Sequence, residues 1–469
     1  MKSNEFEYLL RSNTSKKTIA TRKEDFAQWY QDVISVADLA ENGPSKGSMI
    51  IKPYGYAIWQ NIQAELDKRI KAVGVPNMYF PLLIPEGLLQ KEASHIEGFA
   101  PEVAVVTHAG GKELEEKLIV RPTSETIMYD SFSRWIQSYR DLPLLTNQWA
   151  NVVRWELRPR LFLRSTEFLW QEGHTVHATA QEADDFARVI LELYKDVAEN
   201  VLAIATVAGE KTEAERFAGA AKTYTLEPMM QDGKALQFAT SHNLGDNFAK
   251  VFDIKYSDEN GNQKLVWQTS WGMSTRSIGG LIMSHSDDKG LVLPPNIAPL
   301  KVVITTVGQA DAAVVDVANK LSEEIIESTL VDAREISPGE KFYAHEKRGV
   351  PIRVEIGPRD VKDNQAILVL RDTSEKITVP LDNITKEISE QLSAMQTRLF
   401  SATKDRLQQN TVTAKDEAEA IEAVKNDKFA RVSFKVDAAT EERLKNDHGI
   451  TVRCYPFDSE GSTILAKTY

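Results

Sequence analysis

Between Leu293 and Pro299 the chain reads Leu-Pro-Pro-Asn-Ile-Ala-Pro, three prolines in seven residues. Each proline fixes its own φ, removes an amide donor and pushes the preceding residue out of the helical region. Neither a helix nor a central strand runs through such a stretch. The chain must break here. Its length requires a break as well, because 469 residues exceed what one hydrophobic core accommodates. Residues 1–296 are one expected unit. Past the prolines, Val302–Thr306, a helix over Asp311–Ser328, Ile352–Ile356, Ala366–Arg371 and a helix near Thr385–Leu399 alternate, which predicts a compact α/β unit over 297–403. Residues 404–469 form a smaller charged unit that ends in the strand-like Ser462–Tyr469.

Within the first unit, apolar residues between 24 and 40 recur close to a helical period. Tyr54 to Val73 predicts a long helix with Ile58, Ile62, Leu66 and Ile70 on one face, stopped by Gly74. Asn77–Pro85 predicts a strand that Pro81 confines to an edge or an interface. Residues 144–178 read as strand, charged loop, strand, and Gln181–Val207 as an amphipathic helix. Short segments follow over Gln237–Phe252 and Leu265–Trp271, and a further helix begins at Ser277.

Bulk composition narrows the function classes. The chain is 42% hydrophobic and 26% charged, as an ordinary soluble globular protein is. Its apolar runs are too short and too interrupted to span a membrane. No apolar signal segment follows Met1-Lys-Ser-Asn-Glu, so a cytoplasmic location is expected. A net charge of −12 argues against a nonspecific coat on nucleic acid but permits a local basic patch. Cys454 is the only cysteine, which excludes an intrachain disulfide and a cysteine-built zinc site. His95, His108 and His285 stand alone and read as ordinary histidines, not metal ligands.

One tract mixes charge and aromatics in a way an ordinary core does not. Arg121-Pro-Thr-Ser-Glu125 is followed by Arg154-Trp-Glu156 and then by Phe168-Leu-Trp-Gln-Glu-Gly-His174. Burying such charges costs several kcal/mol unless they are paired. Arg154, Arg158, Arg160 and Arg164 face only Glu156 over their stretch, which reads either as a solvated surface or as an anion site. Neither a G-x-x-x-x-G-K-[ST] loop nor a G-x-G-x-x-G fingerprint is present. A nucleotide would then be held by arginines, whose planar fork pairs two phosphate oxygens and stays charged. Arg154 suits the α-phosphate, Arg164 and Arg276 the terminal phosphates, and Phe168 the adenine face. Thr123 and Glu125 suit an ammonium. Trp170 and Phe217 fit plain core packing as well; Glu172 and His174, alternating with Trp170, favour a pocket.

These segments, in this order, resemble motifs 1, 2 and 3 of the class II aminoacyl-tRNA synthetases: the long helix with the strand to Pro81, Arg154-x-Glu156 with its loop, and Gly272-Met-Ser-Thr-Arg276 leading into a helix. Arg121–Glu125, Phe168–His174 and Thr240-Ser-His-Asn-Leu-Gly245 are similar to the prolyl-tRNA synthetases of the archaeal and eukaryotic type, over essentially the whole chain. The resemblance implies an antiparallel sheet flanked by helices, then an α/β anticodon-binding domain and a small α+β domain. It implies activation of L-proline by ATP with Mg2+, transfer to tRNA(Pro), and a homodimer seamed by motif 1. By position, Thr123 and Glu125 would take the proline ammonium and Arg154 its carboxylate and the α-phosphate. Trp170, Glu172, His174 and Phe217 would shape the ring pocket, with His242 and Ser274 nearby. Arg164, Phe168, Gln237, Thr240 and Arg276 would hold ATP, and Glu156 would contact adenine or orient its arginine. Arg154, Glu156 and Arg276 would form the catalytic set.

Gly349–Asp360 resembles the family's anticodon-reading stretch, so Arg353, Glu355, Arg359 and Arg371 would read guanine edges, unless they form a salt-bridged edge strand instead. Two departures matter. Many members carry a four-cysteine zinc site near the C-terminus, which this chain lacks, so no structural zinc is expected. The interval from His174 to Trp267 leaves no room for the editing domain of bacterial-type enzymes. A threonine-specific sister enzyme would need a zinc site in the pocket. A non-catalytic paralogue would have no reason to keep Arg154, Glu156 and Arg276 together.

Overall fold

A ten-stranded sheet runs through the molecule, in the order Thr411–Ala414, Phe429–Val432, Thr463–Ala466, Thr451–Pro456, Val207–Glu210, Lys222–Glu227, Ala239–Gly245, Trp267–Ser274, Glu167–His177 and Leu144–Val153. Only its first pair is parallel. The computed structural model describes residues 6–11, 18–93, 103–308 and 312–469. Met1–Glu5, His95 and Asp311 lie outside the described residues.

The helices follow from local chemistry. Pro53 opens the Pro53–Ala72 helix at a position that needs no amide hydrogen. Its stripe of Ile58, Ile62, Leu66 and Ile70 is fully buried, each side chain contributing roughly 1.5–3 kcal/mol. Arg69 ties it to Asp196 at the end of the Ala180–Asp196 helix, 2.5 Å away. That second helix starts in a reciprocal cap between Thr179 and Glu182. It does not continue to Val207 as expected. A wide turn over Val197–Val201 and a left-handed Ala203 (φ 56°) end it, and Val207–Glu210 enters the sheet.

Asn77–Pro85 also departs from its expected strand. Only Leu83–Pro85 is a strand, while Asn77 makes a single bridge to Asn147 at the sheet edge. Pro76 and Pro81 have no amide to give a ladder, and the Phe80 amide is taken by Gln148 Oε1 at 2.5 Å.

Residues 302–380 form a separate five-stranded sheet, ordered Thr329–Asp332, Val302–Thr306, Ile352–Ile356, Gln365–Leu370 and Lys376–Pro380. The first two pairings are parallel and the last two antiparallel, the α/β arrangement expected past the prolines. The helix expected near Thr385–Leu399 runs over Ile384–Gln409 and carries the chain into the last region. There the strands of residues 411–466 join the edge of the large sheet, Tyr455 pairing with Glu210. The seam is ionic and buried: Lys211 Nζ is 2.7 Å and Arg453 Nη2 2.9 Å from the Glu227 carboxylate, with all three side chains at most 3% exposed.

Candidate active site

Cross-strand register builds the floor of the main cleft. Residues directly opposite in an antiparallel pair share a face, and three such rows line up. Thr223, His242, Ser270 and His174 form one; Thr240, Gly272, Glu172 and Gln148 the next; Ser274 and Trp170 the third. Strand alternation is why Phe168, Trp170, Glu172 and His174 point together. Gly272 keeps the centre bare, since a Cβ there would stand 3.2 Å from Gln171 O and 3.5 Å from the Trp170 ring. The cleft is lined by Thr123, Glu125, Arg154, Phe168, Trp170, Glu172, His174, Phe217, Gln237, Thr240, His242, Ser274 and Arg276, thirteen positions singled out in the sequence.

One end of the cleft is acidic and tightly ordered. Arg121 spends its guanidinium on structure, donating to Phe80 O (2.7 Å) and to Asn151 O (2.9 Å) and Oδ1 (3.1 Å). That anchors the turn carrying Thr123, Ser124 and Glu125. Thr123 donates to Glu125, and Ser124 to Glu172. Gln148 Nε2 adds a 2.9 Å bond to Glu172, and His174 Nε2 lies 3.3 Å from its other oxygen. Burial alone would raise the Glu172 pKa, but His174, Ser124 and Gln148 bring it below the ordinary value. Burial likewise opposes the charge on His174, yet Glu172 and Glu125 raise its pKa. Each member thus favours the charged form of the other.

The other end is basic. Arg154 donates from Nε to Pro122 O at 2.9 Å and sits over the rings of Trp170 (5.2 Å) and Phe168 (5.6 Å). Burial lowers its pKa and the Glu125 and Glu172 carboxylates oppose that, so it lies between the acidic end and the other arginines. Arg276 opens the Arg276–His285 helix, donating from Nε to Leu163 O at 3.3 Å. Burial, then repulsion from Arg154 and Arg164, pulls its pKa down to about 10. Guanidiniums that repel one another in a cleft define a place for an anion.

Two expected ATP ligands stand apart from the lining. Glu156 Oε1 accepts from the Arg158 amide (2.8 Å) within its own exposed loop, and Arg164 Nη2 donates to Tyr469 O at 2.6 Å. Tyr469 also donates to Asp232, and its ring lies under Lys234 Nζ at 5.1 Å. The chain's last described residues thus cover the Met229–Gln237 loop beside the cleft. Several lining residues carry no local sequence signal: Glu215, Thr223, Phe238, Ala239, Ser270 and Trp271. Thr223 and Ser270 reach the site only through their register with His242, a relation no local pattern carries.

On the second sheet, Arg353 and Glu355 are neighbours on one strand face, 2.8 Å apart, with Arg353 over the Phe342 ring at 4.3 Å and Lys376 Nζ 3.3 Å from Glu355. Arg359 is exposed on the adjoining short helix. Arg371 lines a pocket with Arg353 and Lys376, but it is 6% exposed, its Nη atoms grip Asp287 and its Nε donates to Glu346 O at 2.9 Å, so its fork is already occupied. Among the described residues no three His, Cys, Asp or Glu side chains gather to hold a metal. Cys454 is buried, and burial followed by the nearby Glu227 pushes its thiol pKa up to about 12, leaving it protonated and a poor metal ligand.

Comparison with known proteins matches this geometry. The family described as tRNA synthetase class II core domain (G, H, P, S and T) matches residues 106–285, and the family described as anticodon binding domain matches residues 301–391. The proline–tRNA ligase of Alkaliphilus oremlandii is 52% identical over 447 residues, covering 94% of this chain and 93% of that one. That of Lachnoclostridium phytofermentans is 52% identical over 446 residues, covering 95% and 94%. The crystal structure of prolyl-tRNA synthetase from Cryptosporidium parvum, complexed with halofuginone and AMPPNP, superposes with a TM-score of 0.92 at 36% identity, covering 96% of this chain and 99% of that one.

Proposed function

The chain belongs to the proline–tRNA ligases of the class II synthetases, and from that premise we propose how its residues divide the work of joining proline to tRNA. The reaction has two steps. A proline carboxylate oxygen attacks the α-phosphorus of ATP, forming prolyl-adenylate as pyrophosphate leaves. A ribose hydroxyl at the 3′ end of tRNA(Pro) then attacks the acyl carbon and AMP leaves.

The polarity of the cleft carries the assignment: carboxylates at one end, arginines at the other, Arg154 between them. Glu125 and Thr123 receive the secondary ammonium, with Glu172 and His174 behind them. Trp170, Phe217, His242 and Ser274 enclose the ring. Arg154 holds the proline carboxylate against the α-phosphate, and Arg276, Gln237, Thr240, Phe168 and Arg164 take the nucleotide. Glu156 contacts adenine or orients Arg154 on the loop they share. The assignment requires no protein nucleophile, so catalysis is positioning plus stabilisation of phosphoryl charge. Magnesium ions would add charge neutralisation, held mainly by phosphate oxygens because arginines, not carboxylates, line that end.

Three functional regions, 1–296, 297–403 and 404–469, fit this reading, with Arg353, Glu355 and Arg359 facing the anticodon. A homodimer is supported by the exposed Tyr56, Tyr79 and Leu83 on the Pro53–Ala72 helix and the segment after it. No helix among the described residues is long and apolar enough to cross a membrane, and a cytoplasmic site of action fits the use of ATP and tRNA. Proline-dependent ATP–pyrophosphate exchange by the purified chain tests the reading; exchange without dependence on proline would overturn it.

A further inference from the structure

His242 is held between two threonines, Thr223 Oγ1 at 2.9 Å from Nδ1 and Thr240 Oγ1 at 3.1 Å from Nε2. Heavy-atom positions alone leave the direction of both bonds open. A third contact decides it. The Phe217 amide, which can only donate, gives its hydrogen to Thr223 Oγ1 at 3.1 Å. Suppose His242 also donated to that oxygen. Both Thr223 lone pairs would then be filled, and its own hydroxyl hydrogen would lack an acceptor in a site 2% exposed. If Thr223 donates to Nδ1 instead, every group is satisfied. Nε2 then carries the hydrogen and donates to Thr240, whose own hydroxyl hydrogen is free to point into the cleft.

We propose that Thr223 is a positioning residue: it fixes His242 as the Nε2–H tautomer, so that Thr240 presents its hydroxyl hydrogen to an oxygen of the bound nucleotide. The chain of donors runs from the Phe217 amide through Thr223, His242 and Thr240 to the ligand. Two features keep it in one direction. Phe217 stacks on the imidazole, centroids 4.6 Å apart and planes at 30°, which prevents a ring flip. Burial, with His174 and Arg154 nearby, lowers the His242 pKa to about 3, so the ring stays neutral and one nitrogen remains an acceptor. Hydroxyl donors aimed at a site before the ligand arrives cost no reorganisation when charge builds up there.

The proposal rests on the assignment of Thr240 to the nucleotide, and the two can be tested apart. In enzyme labelled with 15N-histidine, with His242→Gln used to assign the signal, Nδ1 is expected to resonate as unprotonated and Nε2 as protonated near neutral pH. An Nδ1–H tautomer, or an imidazolium, overturns the relay whatever Thr240 binds. In pyrophosphate exchange, Thr223→Val is expected to raise KM for ATP about tenfold, the size of one lost hydrogen bond to a charged oxygen, with a smaller change in KM for proline. Thr223→Ser should restore the wild-type value, which a purely steric role would not require. An unchanged KM for ATP in Thr240→Val overturns the assignment of Thr240, and with it the last link of the relay, even where the tautomer is as stated.

Discussion

Arg371 and Asp287 form a bidentate ion pair across the junction of the two sheets, with Nη1–Oδ2 at 2.8 Å and Nη2–Oδ1 at 2.7 Å. Burial would raise the Asp287 pKa, yet Arg371 holds it below the ordinary carboxylate value. The pair latches the anticodon-binding sheet to the loop after the Arg276–His285 helix. Arg371→Met should therefore cost about 3 kcal/mol of stability in urea denaturation, because it leaves a carboxylate unpaired. The ratio of kcat/KM for cognate tRNA to that for an anticodon-altered tRNA should not change, whereas Arg353→Ala should reduce it. A lowered ratio in Arg371→Met would return that residue to base reading.

Glu125→Ala removes the carboxylate that Thr123 orders at the acidic end of the cleft. A hydrogen bond to a charged group contributes about 1.5–3 kcal/mol, so KM for proline should rise roughly 10- to 100-fold, while KM for ATP stays close to wild type. Steady-state pyrophosphate exchange with each substrate varied in turn reads both. An unaltered proline requirement sinks the assignment.

Arg276→Ala takes away a cation held ready for phosphate. Exchange should fall about 10²- to 10³-fold, the usual cost of deleting a preorganised charge donor. Arg276→Lys should recover only part of this, since an ammonium cannot pair two oxygens as a guanidinium does. Full activity in the alanine variant contradicts the role.

The Lys211–Glu227–Arg453 cluster predicts an acid sensitivity. Burial raises the Glu227 pKa, but Lys211 and Arg453 outweigh it and the net value lies below the ordinary 4.5. A carboxylate whose folded pKa is depressed binds protons more readily in the unfolded chain, so its stabilisation is present above the unfolded pKa. It is lost as pH falls from about 4.5 through the folded value. Denaturation midpoints measured from pH 7 downward should drop in that window. Glu227→Gln should be about 3–5 kcal/mol less stable at pH 7 and should show a shallower acid slope. An identical slope would place the sensitivity elsewhere.

Much of the site is legible in the sequence because its signals are local. Glu172 and His174 alternate with Trp170 at the two-residue period of a strand, and that period alone puts them on one face. The charge argument marks Arg154 for the same reason, residue type at short spacing, whereas Arg276 is marked by the resemblance of Gly272–Arg276 to motif 3. For Arg371 the residue type alone resembles that of Arg353, and the ion pair that occupies its fork comes from Asp287, 84 residues away, which no local pattern carries. The expected Asn77–Pro85 strand is cut short for a local reason. Pro76 and Pro81 have no amide to give a ladder, so only Leu83–Pro85 pairs as a strand.

The sequence by itself determined the break at Leu293–Pro299, the α/β character of the unit beyond it, and the side chains able to bind an ammonium at one end and phosphates at the other. These depend on backbone chemistry and on periodicities of two and 3.6 residues. Only the tertiary structure decided that Thr223 stands opposite His242, that Ser270 lies between His242 and His174, and that the strands of residues 411–466 extend the catalytic sheet. Pairing register and the burial of ion pairs are set by segments far apart in the chain, through packing that no single segment encodes.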